Sequence, residues 1–181
     1  MDHIKHLIDH GHTHFGENKV QEAIEKWTEV KKQNDKINLH MVGKLQSNKV
    51  KYALKIFDYI HSVDNIKLVK KISSEQKKNE KKPKIFIQVN IGNEIQKSGI
   101  NYNDFNDFYN LCKTNDLNVI GTMCIPPDDN KSDLYFSKLK KLNDDNNLNE
   151  ISMGMSNDYL NAVEQQSTFL RIGSKIFGQR G

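Results

Sequence analysis

Two rhythms of apolar residues alternate along the chain. Ile4, Leu7 and Ile8 fall on one side of a helix over residues 2–10, which Gly11 stops. Residues 12–15 then read as a short strand, with Gly16, Glu17 and Asn18 as its exit turn. Val20, Ile24, Trp27 and Val30 mark one helix face. Strands follow at 37–42 and 59–63, separated by a helix that runs to about residue 56, and a further helix covers 65–74. The stretch 84–91 is nearly continuous in apolar residues, the pattern of a strand covered on both faces. Residues 102–113 and 132–142 have helical spacing, with a strand at 117–125 between them that Pro126 and Pro127 stop. A strand at 151–153, a helix at 158–165 and a last strand at 169–172 complete the series.

Regular strand–helix alternation argues a parallel α/β architecture in one domain spanning residues 1–181. Seven strands are counted. A closed TIM-type (β/α)8 barrel needs eight strands, each followed by a helix. Because the chain opens on a helix, the expected fold is such a barrel with seven strands, its first strand lying ahead of Met1. A doubly wound open sheet, which needs no such strand, is the alternative.

The last two strand ends carry the most suggestive chemistry. Ser152, Met153, Gly154, Met155 and Ser156 run from a strand into a helix, and Arg171, Ile172, Gly173 and Ser174 repeat the move. A helix start offers free backbone N–H groups to an anion. Ser156 and Ser174 add hydroxyls, while Gly154 and Gly173 permit close approach. Paired turns of this kind match the phosphate site after the final strands of a barrel; ordinary serine-capped turns are the competing reading. Arginine usage bears on the choice: of 27 basic residues only Arg171 and Arg180 are arginine. A guanidinium at a strand end suggests a need for its planar, fixed charge.

Other polar residues gather near strand ends: Asn18, His40, Ser62, Asp64, Asn90 and Cys124. Each is open to a second reading as a cap or turn residue, and His40 as a satisfied core histidine. His6 and His10 stand one helical turn apart, without a carboxylate or cysteine at metal-site spacing, so no metal is expected. A net charge of +4 is too mild to indicate nucleic acid, and the basic run at 77–84 reads as a solvated loop. No apolar run approaches the ~20 residues of a membrane span. Two cysteines, Cys112 and Cys124, fit reduced thiols in cytoplasm.

Taken together, the motifs closely resemble the pyridoxal phosphate homeostasis protein family (the YggS/PROSC-like proteins). The matching stretches are 15–22, 40–49 and 61–64, then 88–91, 97–99 and 121–126, then 152–156 and 171–178, in family order over essentially the whole chain. The resemblance implies a barrel like the N-terminal domain of alanine racemase, pyridoxal 5'-phosphate (PLP) as cofactor, and a role in intracellular vitamin B6 and amino-acid homeostasis. No catalytic turnover is established for the family, so no catalytic residue is expected. By that likeness Arg171 faces the pyridine nitrogen, and Ser156, Gly173 and Ser174 hold the phosphate. Asn18 lies near the ring, Lys97 matches a lysine near the pocket, and His40, Ser152 and Met155 complete the candidate set.

Two departures stand out. Family members attach the cofactor through a lysine on the first strand, in an Ala-Val-Ser-Lys-type motif that has no match here, so non-covalent binding is expected. Leu39 stands where tryptophan is usual. The alternatives are an inactive remnant of the family or a PLP-dependent amino-acid racemase; the latter would need that lysine and a second domain's base. A monomer is expected from the family. An open barrel would instead favour self-association through the strands at Phe15 and Phe169.

Overall fold

The computed structural model describes residues 2–178. Helix α1 (Asp2–Asp9) leads into strand β1 (His14–Glu17), α2 (Val20–Gln33) and β2 (Asn38–Met41). A 3-10 turn at Ser47–Lys49 opens α3 (Val50–Ile56), followed by β3 (Tyr59–Val63), α4 (Ile66–Asn79) and β4 (Lys84–Asn90). A two-residue strand β5 (Ile100–Asn101) precedes α5 (Phe105–Thr114), β6 (Asn118–Met123) and α6 (Ser132–Asp145). Then come β7 (Glu150–Met155), α7 (Tyr159–Glu164), β8 (Phe169–Arg171) and α8 (Ser174–Phe177).

The strands form a nearly closed parallel barrel in the order β1-β2-β3-β4-β6-β7-β8, so the expected seven strands are present. β5 pairs only with the carboxyl end of β4. Among the described residues β1 and β8 end the path and do not pair with each other. Helices shield the outer face, where Trp27, Phe57, Phe105 and Phe136 are fully buried. Inside, Tyr59, Phe86 and Met123 pack with Ile120 and Phe169. Both faces are thus covered, which is why all five residues of β3 are buried.

Three details differ from the sequence pattern or explain it. β1 lies two residues later than expected because Gly16 and Glu17 pair with His40 and Met41 rather than turning. Glu17 tolerates this place because its carboxylate accepts from Trp27 Nε1 and Lys26 Nζ, each at 2.7 Å. β5 escaped notice because two residues show no alternation. Gly154 has φ 90°, and a Cβ there would fall 2.5 Å from the Ala162 methyl carbon; its absence lets α7 seat on β7.

At the amino-terminal end of the barrel Asp58 ties elements together. It accepts from the Leu39 amide at 2.8 Å and pairs with Lys31 of α2, while Lys81 lies 3.3 Å away. Burial raises its pKa, but the Leu39 amide and Lys31 outweigh that and hold the carboxyl below its ordinary value. No helix among the described residues is long and apolar enough to cross a membrane.

Candidate functional site

The carboxyl ends of β6, β7 and β8 meet at Arg171. Its Nη1 donates to Ser152 Oγ at 2.7 Å and its Nη2 to the Cys124 carbonyl at 2.8 Å. One side chain therefore bridges three neighbouring strands. Burial draws the guanidinium pKa down from its ordinary value, opposed by Cys124 and Asp158. An arginine still keeps its charge at neutral pH. Burial pushes the Cys124 thiol up to about 12, so it stays protonated and unreactive.

Beside this clamp the two final turns are stitched together. Ser156 Oγ accepts from the backbone N–H of Gly173 at 3.3 Å and of Lys175 at 3.4 Å. Asp158 accepts from the Met155 amide at 2.6 Å and fixes the first turn. A Cβ built on Gly173 meets nothing within 4 Å, so the second turn faces open space. The result is a group of amide and hydroxyl donors next to a fixed positive charge, an arrangement suited to an anion attached to a planar acceptor.

Ser152 also begins a file that runs back through the barrel. Its Oγ lies 2.8 Å from His61 Nδ1. His61 Nε2 lies 2.9 Å from His40 Nδ1, and His40 Nε2 lies 2.9 Å from His14 Nδ1. The His40 ring stacks on Tyr59 at 4.1 Å and the His61 ring on Phe86 at 4.2 Å. Burial, aided by the neighbouring His14, drives His40 down to about 3. Burial, with His40 and Arg171 nearby, drives His61 well below its ordinary value. Both imidazoles are therefore neutral at physiological pH.

The nine candidate residues do not all meet. Arg171 bonds Ser152 and Gly173 bonds Ser156, two pairs that the chain brings together at Arg171–Gly173, with Met155 and Ser174 adjoining them in the chain. His40 connects only through His61, inside the barrel. Lys97 sits on the loop after β4, pairing with Glu94 at 2.6 Å and donating to the Pro126 carbonyl at 3.3 Å. Its loop lines a cavity of about 520 Å³ together with Asn90, Gly99 and Asp104. Asn18 is exposed where β1 exits, its backbone held against Gly43. Arg180 lies outside the described residues. His10 Nδ1 donates to the His6 carbonyl at 2.8 Å. Sequence reasoning overlooked His14 and His61 as partners of His40, and the Cys124 carbonyl. One signal was available: three successive strands each carry a histidine among apolar neighbours.

Comparison with known proteins shows the family. The family described as "Alanine racemase, N-terminal domain" matches residues 1–181, and the chain belongs to it. Within that class it belongs with the pyridoxal phosphate homeostasis proteins: the one from Aquifex aeolicus is 34% identical over 187 residues, covering 98% of this chain and 81% of the relative. Two structures of PipY from Synechococcus elongatus, without and with PLP bound, superpose with TM-scores of 0.88 and 0.82. Their identities are 32% and 30%, covering 98% and 97% of this chain and 87% and 86% of PipY. The alanine racemase of Clostridium difficile shares the fold at 15% identity and a TM-score of 0.72, over 97% of this chain and 47% of the racemase.

Proposed function

We propose that this chain binds pyridoxal 5'-phosphate and serves in intracellular PLP and amino-acid homeostasis, as a binding protein without turnover. The observation that carries the reading is the Arg171 clamp set beside the stitched Ser156–Gly173 turns. The Gly173 and Lys175 amides, with the Ser156 and Ser174 hydroxyls, would hold the phosphate. Arg171 would stand at the ring nitrogen, steadied by Ser152, with Met155 alongside. Asn18 and Lys97 would border the ring from the β1 and β4 exits, and His40 would act from below through His61. When bound, the cofactor supplies an aldehyde and an electron-accepting ring. A guanidinium at the ring nitrogen disfavours a second positive charge there, which weakens that ring as an electron sink. No group at the clamp titrates near neutral pH: Arg171 is charged, the Cys124 thiol is pushed up to about 12 and His61 is neutral. These features support binding over catalysis. We further propose non-covalent attachment, a monomer in the cytoplasm, and no nucleic-acid or membrane partner.

Calorimetric titration with PLP at fixed salt tests the reading. Arg171→Ala should bind about tenfold to hundredfold more weakly, the worth of charged-group hydrogen bonds, while Arg180→Ala should match the parent. Equal affinity in all three proteins would remove Arg171 from the site.

A further inference from the structure

The interior file has a use that the clamp alone does not require. It starts at His14, exposed at the first position of β1, and ends at Ser152, bonded to Arg171 at the opposite end of the barrel. Every link is 2.8–2.9 Å long and each joins ring nitrogens or a hydroxyl, so every link can pass a proton. We propose that His14, His40, His61 and Ser152 form a proton path through the barrel interior, connecting solvent at the amino-terminal end with the Arg171 end of the ligand site.

The step balances as a chain of transfers. Outward, Ser152 Oγ–H donates to His61 Nδ1, His61 Nε2–H to His40 Nδ1, and His40 Nε2–H to His14 Nδ1. A water takes the Nε2 proton of His14, each ring passes its own proton one place on, and Ser152 Oγ is refilled by a proton from the ligand end, on the proposed reading that of a pyridinium. Inward transfer reverses each tautomer. No ring needs to keep a positive charge, which suits imidazoles that burial holds neutral. The surroundings mostly disfavour a charged ring: burial first, then His12 and Lys84 act against charge on His14, His14, Lys31 and Lys84 on His40, and His40 and Arg171 on His61, while Asp58 acts the other way on His14 and His40. The proposal rests on the PLP reading only for what stands at the Arg171 end. There the path has a clear task, because a pyridinium is disfavoured against a guanidinium and its proton needs a route away from Arg171.

The test needs no cofactor. Label the histidine rings with 15N, measure N–H···N couplings for the His14–His40 and His40–His61 pairs, and measure exchange of the His61 ring proton with water. His61 is 1% exposed, so its exchange runs either along the file or by local opening. His14→Gln keeps a hydrogen-bonding group but cannot relay, and its exchange at His61 should slow on the order of a hundredfold, the usual contribution of a positioned acid–base group. Ser152→Ala removes the hydroxyl that refills His61 Nδ1, so exchange at His61 should slow there too, and a parent-like rate would remove Ser152 from the path. Absent couplings, or equal exchange in His14→Gln and parent, would overturn the path. Failure of PLP to bind would refute the functional reading and leave these measurements intact.

Discussion

Acidification from pH 7 to pH 5 should weaken this fold by about 2 kcal/mol through His40 alone, taking its folded pKa of about 3 against 6.5 unfolded. The folded value is the lower one, so the unfolded chain binds a proton that the fold excludes. Stability from His40 is therefore complete above the unfolded pKa and is lost as pH falls from there towards the folded one. The ring is 4% exposed and stacked on Tyr59, so little solvent reaches a charge placed on it. His61, driven down by burial in the same direction, adds to the loss. Asp58 hardly contributes in this window, since its carboxyl loses stability only as pH falls through and below the ordinary carboxylate range. Urea unfolding followed by fluorescence of Trp27, the sole tryptophan, would read both pH values in one salt. His40→Gln removes the titrating group, so its loss between pH 7 and pH 5 should be smaller by about 2 kcal/mol. An equal loss in variant and parent would refute the assignment of a neutral, proton-excluding ring to His40.

Further outcomes follow from the packing. Gly154→Ala should cost more than about 2 kcal/mol, because φ 90° strains any side chain and the new methyl would meet Ala162 at 2.5 Å; an unchanged urea midpoint would contradict this. Glu17→Ala leaves the Trp27 N–H unpaired at 1% exposure and should cost about 1–3 kcal/mol, with a shift in tryptophan emission as the check. Borohydride treatment with PLP should give scattered, substoichiometric lysine labelling; one fully labelled lysine, Lys97 for instance, would overturn non-covalent binding. Sedimentation should show a monomer at every concentration; self-association that rises with concentration would overturn the proposed monomer and point to the edges of β1 and β8, which among the described residues do not pair with each other.

Most of the barrel was legible because each strand is a short apolar run between helical periods, and covered parallel strands need no finer code. The 84–91 run became β4 almost residue for residue. Strand edges were less legible where tertiary partners decide them: Glu17 reads as a turn residue until Trp27 and Lys26 reach back to it. The clamp was half legible. Arginine scarcity pointed to Arg171, but its acceptor, the Cys124 carbonyl, is a backbone group without a sequence signature. His40 was noticed singly. Its bonds to His14 and His61 join residues 26 and 21 positions apart, which only strand register brings together. Lys97 came from motif likeness alone, and its pairing with Glu94 and Pro126 could not be read from spacing.

The most direct measurement is an amide and arginine side-chain NMR titration of the 15N-labelled chain with PLP, alongside inorganic phosphate. If PLP binds at the clamp, both ligands should shift the Gly173, Ser174 and Lys175 amides, and PLP alone should shift the Arg171 side chain as well. Resonances at these positions that stay still while PLP moves others, such as those of the Lys97 loop, would contradict the placement of the cofactor at the ends of β7 and β8.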